Sequence, residues 1–356
     1  MQSKLKVLIV EDSNVYRRIL KEAVEMTGVA TVTDSAENGI IALDKIQESN
    51  TFDIALMDIN MPGMDGIETL KKIKILYPKI VVIMISSTGS KNCETTLQTL
   101  QYGAMDFIVK PLSENFETNM KILSEQLKEL FIQIKSGINQ INKNPIPKKD
   151  FYEDKIQKKS LENVDVVLIA SSTGGPVALE KIFERLDKSF SKPILIVQHM
   201  PPVFTKVFAN NLDKKSHMSV IEGIDNCIVR EGQAIVAPGG FHMVVRKDSS
   251  GIITTALDDG PLIQGLKPAA DILFKSVAEV YEKKNILIII LTGMGSDGRN
   301  GLAILKSKCK CYCIAQNEAT SVVYGMARCA VEAGLCDEVL AIDDIPKRIQ
   351  EIVKGV

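Results

Sequence analysis

The chain carries almost no net charge and lacks an apolar run long enough to cross a membrane. Its 356 residues include 43 Lys plus Arg and 44 Asp plus Glu. This balance provides no overall field that would attract nucleic acid or an anionic membrane, so we expect neither partner. The longest apolar stretch, NILIIILTG at 285–293, is far shorter than the roughly 20 residues of a spanning helix. We therefore expect no direct membrane insertion and interpret this stretch as a buried strand.

A secretory signal and an even set of cysteines are also missing. The N-terminal sequence MQSKLKVLIVED has no h-region, and the chain contains seven cysteines, an odd number. Both features favour a cytoplasmic location with reduced thiols. Three of these residues, Cys309, Cys311 and Cys313, alternate along a predicted strand with no histidine nearby. This spacing disfavours a metal site there.

Two alternating patterns of apolar runs and helical segments divide the chain. Between Leu5 and about Phe131, five predicted strands alternate with five predicted helices. A second pattern begins at VDVVLIA (164–170) and contains a hairpin-like insertion near 233–257. Such alternation is typical of doubly wound parallel sheets with helices on both faces. The predicted fold class is therefore α/β, with two parallel-sheet domains.

A polar segment separates the two patterns. Residues 133–160 contain seven lysines and two prolines together with several Asn and Gln, a composition typical of a solvated linker. We therefore predict a first domain over 1–130, a linker over 131–160 and a second domain over 161–356.

Polar residues directly follow several predicted strands of the first domain. They are Glu11 and Asp12 after the first strand, Asp58 after the third, Ser86 after the fourth and Lys110 after the fifth. Because the carboxyl ends of parallel strands share one edge of a sheet, we expect these side chains to converge. Clustered carboxylates repel each other unless a cation lies among them, and Mg²⁺ prefers oxygen ligands. The sequence therefore predicts a magnesium site.

Four motifs in this domain, LIVEDS, ALMDINMPGMDG, MISS and DFIVKP, resemble the receiver domain of two-component response regulators over about residues 4–130. The resemblance implies a flavodoxin-like domain whose Asp58 accepts a phosphoryl group from a histidine kinase. It also implies roles for further residues: Glu11, Asp12, Asp58 and the Asn60 backbone carbonyl would bind Mg²⁺, Ser86 and Lys110 would contact the phosphoryl group, and Phe107 would act as an aromatic switch.

A hydroxyl, an imidazole and a carboxylate follow strands of the second domain. Ser172 follows the first of these strands, His199 follows the second, and Asp297 follows the strand that ends near 293. A serine becomes a nucleophile when an imidazole accepts its proton and a carboxylate orients that imidazole. Of the three histidines, His199 alone follows a buried strand, unlike His217 and His242. The chain order Ser, His, Asp matches neither the α/β-hydrolases nor chymotrypsin nor subtilisin, which implies another scaffold.

The segment IASSTGG at 169–175 joins the first of these strands to a helix that is predicted to begin at Pro176. Its glycines permit a tight turn, and the amides at a helix start point toward the predicted crevice. The amide of Met294, in the glycine-flanked turn TGMGSDG, is a further candidate to stabilise an oxyanion.

Five motifs resemble the C-terminal domain of chemotaxis protein-glutamate methylesterases across about 161–353: ASSTGGP, VQHMPPVFTKVFANNLD, VAPGGFHM, LTGMGSDGRNGL and IAQNEATSVVYGMARCAVEAG. The resemblance implies a Rossmann-like domain that hydrolyses glutamyl methyl esters on methylated chemoreceptor cytoplasmic helices, with glutamine deamidation in some members. Phosphorylation of the receiver would activate it, and the esterase step would need no cofactor. The implied roles are nucleophile for Ser172, general base for His199, orienting carboxylate for Asp297 and oxyanion donor for the Met294 amide.

Other function classes fit the sequence to different degrees. A phosphorylation-controlled adaptor that binds receptors without turnover remains an alternative. A DNA-binding response regulator is poorly supported, because the second domain shows neither a helix-turn-helix pattern nor a basic stripe. Nucleotide binding at STGG is weaker still, since the chain lacks both G-x-G-x-x-G and the Walker lysine there.

Overall fold

The computed structural model divides the chain into two compact units, Met1–Lys149 and Asp150–Val356. It describes residues 3–49, 51–87, 89–111, 115–142, 161 and 163–355. The predicted linker over 131–160 falls largely outside these ranges, and the domain boundaries drawn from composition stay predictions.

The first unit is a five-stranded parallel sheet in the order β2-β1-β3-β4-β5. Strands and helices alternate throughout, which confirms the predicted doubly wound α/β class. The strands are β1 Leu5–Val10, β2 Ala30–Ala36, β3 Ile54–Asp58, β4 Val81–Ser86 and β5 Asp106–Val109. The helices are α1 Asn14–Met26, α2 Gly39–Ser49, α3 Gly66–Leu76, α4 Ser90–Gln101 and α5 Phe116–Asn142.

The second unit contains a seven-stranded parallel sheet in the order β14-β13-β12-β6-β7-β9-β8 and a separate antiparallel hairpin, β10-β11. Its strands are β6 Val166–Ser171, β7 Ile194–Gln198, β8 Ser219–Glu222, β9 Gln233–Val236, β10 His242–Lys247, β11 Ile253–Asp258, β12 Asn285–Ile290, β13 Lys310–Gln316 and β14 Glu338–Leu340. Its helices are α6 Gly175–Arg185, α7 Phe204–Lys215, α8 Ala270–Val280, α9 Arg299–Lys308, α10 Met326–Glu332 and α11 Ile345–Lys354.

The hairpin insertion is shorter than the sequence predicts. Strand β9 pairs in parallel with β7 and β8 inside the main sheet, so the insertion is limited to β10 and β11. All four residues of β9 are buried, as expected for a strand covered on both faces. The neighbouring β8, Ser219–Glu222, has no apolar run and escaped prediction. Cys309 ends α9 rather than lying on a strand with Cys311 and Cys313.

Helix α8 connects the hydrophobic core to the edge of the sheet where the strands end. Its residues Leu273, Phe274 and Val277 are fully buried between the sheet, the hairpin and α9. The approach to α9 is close, because a Cβ at Gly301 would lie 2.7 Å from the Cβ of Phe274. The first turns of α8 and α9 are thereby held next to each other.

None of the helices within these ranges is long and apolar enough to span a membrane.

Candidate active site

Three neighbouring strands of the second unit end together and bring the predicted residues to one edge. Ser171 at the end of β6 lies opposite Gln198 at the end of β7, so Ser172 and His199 are the next residues on adjacent strands. The backbone continues this pairing, because the His199 N–H donates to the Ser171 carbonyl at 3.0 Å. On the other side of β6, the Ser172 N–H donates to the Thr292 carbonyl, also at 3.0 Å.

A short hydrogen bond joins the imidazole to the buried carboxylate. His199 Nε2 lies 2.7 Å from Asp297 Oδ2. An ionised carboxylate only accepts hydrogen bonds, so Nε2 carries a proton, and in the neutral ring Nδ1 then has the lone pair. The ring is therefore reversed relative to the serine protease triad, in which Nδ1 faces the carboxylate.

His199 Nδ1 is buried and has no hydrogen-bond partner among the described residues. A buried acceptor without a donor is unusual, and it leaves this atom available to take a proton from a nearby hydroxyl. Ser172 begins the loop after the adjacent strand end, so its hydroxyl is the predicted nucleophile, although this structure shows no hydrogen bond between that hydroxyl and His199 Nδ1.

Asp297 is ionised through contacts that outweigh its burial. Burial alone raises the pKa of this carboxyl, but the hydrogen bond and charge of His199 and the amides of Asp271 and Ala270 lower it below its ordinary value. The Ala270 N–H donates to Oδ2 at 2.6 Å and the Asp271 N–H donates to Oδ1 at 2.9 Å. The start of α8, with its free amides, thus stabilises the negative charge.

A second carboxylate, from the start of α8, accepts a backbone N–H at the start of α9. The side chain of Asp271, in the first turn of α8, accepts the Gly301 N–H at 2.7 Å. Burial raises the pKa of Asp271 and the neighbouring Asp297 adds to this effect, against the backbone hydrogen bonds. Each helix start is therefore capped by a carboxylate from the start of the other helix, which fixes the position of Asp297.

The candidate oxyanion amide lies in a turn that closely approaches the nucleophile. Gly293, which precedes Met294, leaves so little space that a Cβ there would lie 2.7 Å from Ser172 Cβ. Gly293 is held in place by its carbonyl, which accepts the Gly325 and Met326 N–H groups at 3.1 and 2.9 Å. Within the described chain, the Met294 amide donates to no backbone carbonyl. This geometry suits the role predicted for it.

The glycines of IASSTGG satisfy a steric requirement. Gly174 has φ +77°, and a Cβ there would lie 2.6 Å from Val322 Cγ2. A Cβ at Gly175 would lie 2.0 Å from Gln198 Oε1. The turn after Ser172 therefore admits no larger residue at either position.

Two glutamines support the site, and sequence reasoning overlooked both. Gln198 Oε1 accepts the Ser171 hydroxyl at 2.7 Å, and its Nε2 donates to the Ser172 and His199 carbonyls at 3.1 and 3.0 Å. Gln316 Oε1 accepts the Thr292 N–H at 2.9 Å. The available signal was a polar residue that closes an apolar strand, in KPILIVQ and in CYCIAQ.

The first unit brings the predicted acidic residues together. The carboxylate oxygens of Glu11, Asp12 and Asp58 lie within 4.8 Å of one another, and within the described ranges they form the one cluster of potential metal ligands. Lys110 Nζ lies 2.8 Å from Glu11 Oε2 and 3.1 Å from Asp58 Oδ1. Burial raises the pKa of Glu11 and of Asp58, although Lys110 opposes the shift in both cases. The cluster therefore fits a bound cation, which would stabilise the ionised forms.

The other residues predicted for this domain lie on strands β4 and β5 and in the loop after β3. Ser86 is buried and its hydroxyl pairs with Thr96 Oγ1 at 2.6 Å, while its carbonyl accepts the Lys110 N–H at 2.7 Å. Asn60 is exposed two residues after Asp58. Phe107 is half-buried on β5, opposite Met84 of β4. The side chain of Ser86 is thus engaged by Thr96, a contact that the sequence did not predict.

Two families match this chain, the response regulator receiver domain over residues 7–119 and the CheB methylesterase over residues 167–349. The chain belongs to the CheB methylesterase family. A protein-glutamate methylesterase/protein-glutamine glutaminase of Clostridium acetobutylicum is 38% identical over 354 residues, covering 99% of each chain. A protein of the same name from Pyrococcus horikoshii is 36% identical, covering 100% of this chain and 96% of its own.

A solved structure resembles the second unit. The Thermotoga maritima CheB methylesterase catalytic domain is 38% identical with a TM-score of 0.51, and the match covers 55% of this chain and 100% of that domain. The parallel α/β architecture of this unit is thus shared with a CheB family member.

Replacing Gly293 with Ala tests how closely the oxyanion turn must approach Ser172. The added methyl group would displace the Ser172 backbone or the turn, so we expect ester turnover to fall by about tenfold or more. Methanol release by the purified variant measures this. Gly260→Ala is the control, because its Cβ would meet the flexible Asp258 side chain at 3.3 Å. Unchanged turnover in Gly293→Ala would show that the contact is not required.

Replacing Asp297 with Asn tests the electrostatic role of its carboxylate. Because the pKa of Asp297 is lowered in the folded state, its carboxylate stabilises the fold at pH values above the unfolded-state pKa of about 3.9. This contribution disappears as the pH falls through the folded-state pKa. We expect the free energy of unfolding of the wild-type chain to exceed that of the variant by about 1–3 kcal/mol at neutral pH, because the variant loses a buried acceptor. Urea unfolding between about pH 6 and pH 3 should show this difference shrinking on acidification. A difference that is independent of pH would contradict the assignment.

Proposed function

We propose that this chain is a protein-glutamate methylesterase that hydrolyses glutamyl methyl esters on the cytoplasmic helices of chemoreceptors. The observation that carries the proposal is the buried Nδ1 of His199, which has no hydrogen-bond partner among the described residues. His199 follows the strand end next to Ser172, and Asp297 holds its ring. The relatives named protein-glutamate methylesterase/protein-glutamine glutaminase extend over the whole chain and support the same reaction.

The geometry supports acyl transfer in two steps. Ser172 Oγ attacks the ester carbonyl while His199 Nδ1 accepts the hydroxyl proton, and that proton then passes to the leaving methoxide to form methanol. In the second step, water attacks the acyl-enzyme with the same nitrogen as base, which releases the glutamate carboxylate. The Met294 amide would donate to the oxyanion in both steps, an interaction worth about 2.7–4 kcal/mol. Glutamine deamidation follows the same course with ammonia as the leaving group.

Substrate recognition would come from the surface around the crevice, because a methyl ester offers little to bind. Pro201, Pro202 and Val203 follow His199 and are exposed, with Val203 52% accessible. A Cβ at Gly239 would lie 2.5 Å from the Pro201 carbonyl carbon, so the 238–241 turn packs directly against this segment. These apolar residues are suited to contact a receptor helix beside the modified side chain.

The first unit supplies regulation in this proposal. A chemotaxis histidine kinase would phosphorylate Asp58, with Glu11, Asp12, Asp58 and the Asn60 carbonyl as the residues that hold Mg²⁺. Bound Mg²⁺ would neutralise the charge that develops on the transferring phosphoryl group. Lys110 would pair with the phosphoryl oxygens, and Ser86 would turn from Thr96 to donate to them. Phe107 would report the change from β5, and the activated chain would then turn over receptor esters.

The proposal places the protein in the cytoplasm, where the kinase and the receptor helices are accessible, and assigns no cofactor to the esterase step. The adaptor alternative is less favoured. A binding module would need neither a buried carboxylate whose pKa is lowered, as that of Asp297 is, nor a buried imidazole held against it by a hydrogen bond.

Ser172→Ala tests the esterase. We expect methanol release from methylated receptor to fall by on the order of 10⁴-fold or more, because the acyl-enzyme can no longer form. Ser189→Ala is the matched control, since Ser189 is an exposed serine of the same unit. An adaptor would instead show no methanol release in wild type, and Ser172→Ala would keep its effect on adaptation in cells.

Asp58→Asn tests the regulation. Acetyl phosphate with Mg²⁺ should raise methanol release by the wild-type chain, because phosphorylation adds charge and hydrogen-bond acceptors that can bias a bistable loop. The variant should keep the basal rate and lose the response, and chelation of Mg²⁺ should abolish the response in wild type. An equal response in the variant would exclude Asp58 as the phosphoryl acceptor.

A further inference from the structure

A second histidine of this unit is buried and has both ring nitrogens engaged. His242, the first residue of β10, is 1% exposed. Its Nε2 lies 3.0 Å from the Pro261 carbonyl oxygen, and its Nδ1 accepts the Ala269 N–H at 3.1 Å. A carbonyl only accepts and an amide only donates, so these partners require a neutral ring with its proton on Nε2.

The Ala269 amide is the first of three consecutive amides at the start of α8. The next two, from Ala270 and Asp271, donate to the carboxylate of Asp297. Ala269 occupies the N-cap position and has no side-chain cap of its own, although Ser, Thr, Asp or Asn is preferred there. The start of α8 is therefore fixed by two side chains from elsewhere in the unit, His242 and Asp297.

The contacts of His242 also hold the loop that leads into α8. Pro261 and Ala269 bracket this loop between β11 and α8, and His242 binds one backbone group at each of these positions. The turn before β10 adds a third contact, because the Gly240 N–H donates to the Lys267 carbonyl at 3.1 Å. The start of the hairpin and the turn before it thus anchor the backbone that leads into α8, with the buried His242 side chain as the main link.

We propose that His242 is a positioning residue for the esterase reaction. It fixes the start of α8, so that two α8 amides hold Asp297 in the orientation that directs His199 Nδ1 toward Ser172. His242 acts through Ala269 and Asp297 rather than on the ester, so it sets the rate of the chemical step and leaves substrate affinity unchanged. The inference rests on the proposed esterase function.

Two variants separate the contacts of the ring. In His242→Asn the side-chain oxygen can take the place of Nδ1 as acceptor for Ala269, whereas in His242→Gln the amide nitrogen can take the place of Nε2 as donor to Pro261. We expect the Asn variant to keep kcat within about threefold of wild type and the Gln variant to lose about tenfold or more, because a displacement near 1 Å in a catalytic group is costly. KM for methylated receptor should stay the same in both. His217→Gln is the control, since His217 is exposed.

The outcomes distinguish positioning from simple structural support. Wild-type kcat in the Gln variant, or equal losses of kcat in both variants that follow their melting temperatures, would overturn the proposal. If Ser172→Ala, measured in parallel, keeps its turnover, the proposed function fails instead.

A measurement on the wild-type chain is independent of variant folding. Nitrogen-15 NMR of the three histidines should show His242 neutral and protonated at Nε2, and a charged or Nδ1-protonated ring would contradict the inference.

Discussion

The second unit depends on one buried negative charge, the carboxylate of Asp297. Removing such a group from water is costly unless hydrogen bonds and opposite charge compensate for it. Here the compensation comes from the His199 ring on one side and from the α8 amides of Ala270 and Asp271 on the other. The same contacts that make the charge tolerable therefore determine where the imidazole lies, so stability and catalytic geometry have a common origin.

This arrangement extends from the site into the hydrophobic core. Asp297 caps α8 while Asp271 caps α9, and Gly301 lets the two helices approach closely enough for both caps to form. The helices are packed on the sheet by fully buried side chains such as Phe274 and Leu302. A site built in this way is preorganised, because its polar groups are held before any substrate arrives.

The first unit uses carboxylates in the opposite way. Glu11 and Asp58 share Lys110, and their pKa values are nevertheless raised by burial. Their negative charge is therefore only partly compensated by the protein itself. A site of this kind is suited to a divalent cation and to a reaction that changes its charge, whereas the Asp297 site is suited to a fixed orientation.

Much of the architecture was accessible from the sequence. Alternating apolar runs and helical segments identified both parallel sheets, because buried strands need continuous apolar residues. The rule that parallel strands end at a common edge also predicts that Ser172, His199 and Asp297 lie at one edge of the second sheet. Strand β8 escaped because Ser219–Glu222 is short and partly polar.

What the sequence determined by itself was which residue types lie at the ends of the strands, because local periodicity locates each strand and alternation with helices implies parallel strands that end at one edge. The tertiary structure alone decided how those groups are oriented. It showed that Nε2 of His199 faces Asp297, that Ser86 pairs with Thr96, and that His242 holds Ala269. The reason is physical: the pairs His199–Asp297 and His242–Ala269 are separated by 98 and 27 positions, and side-chain rotamers across such distances depend on packing that no local pattern records.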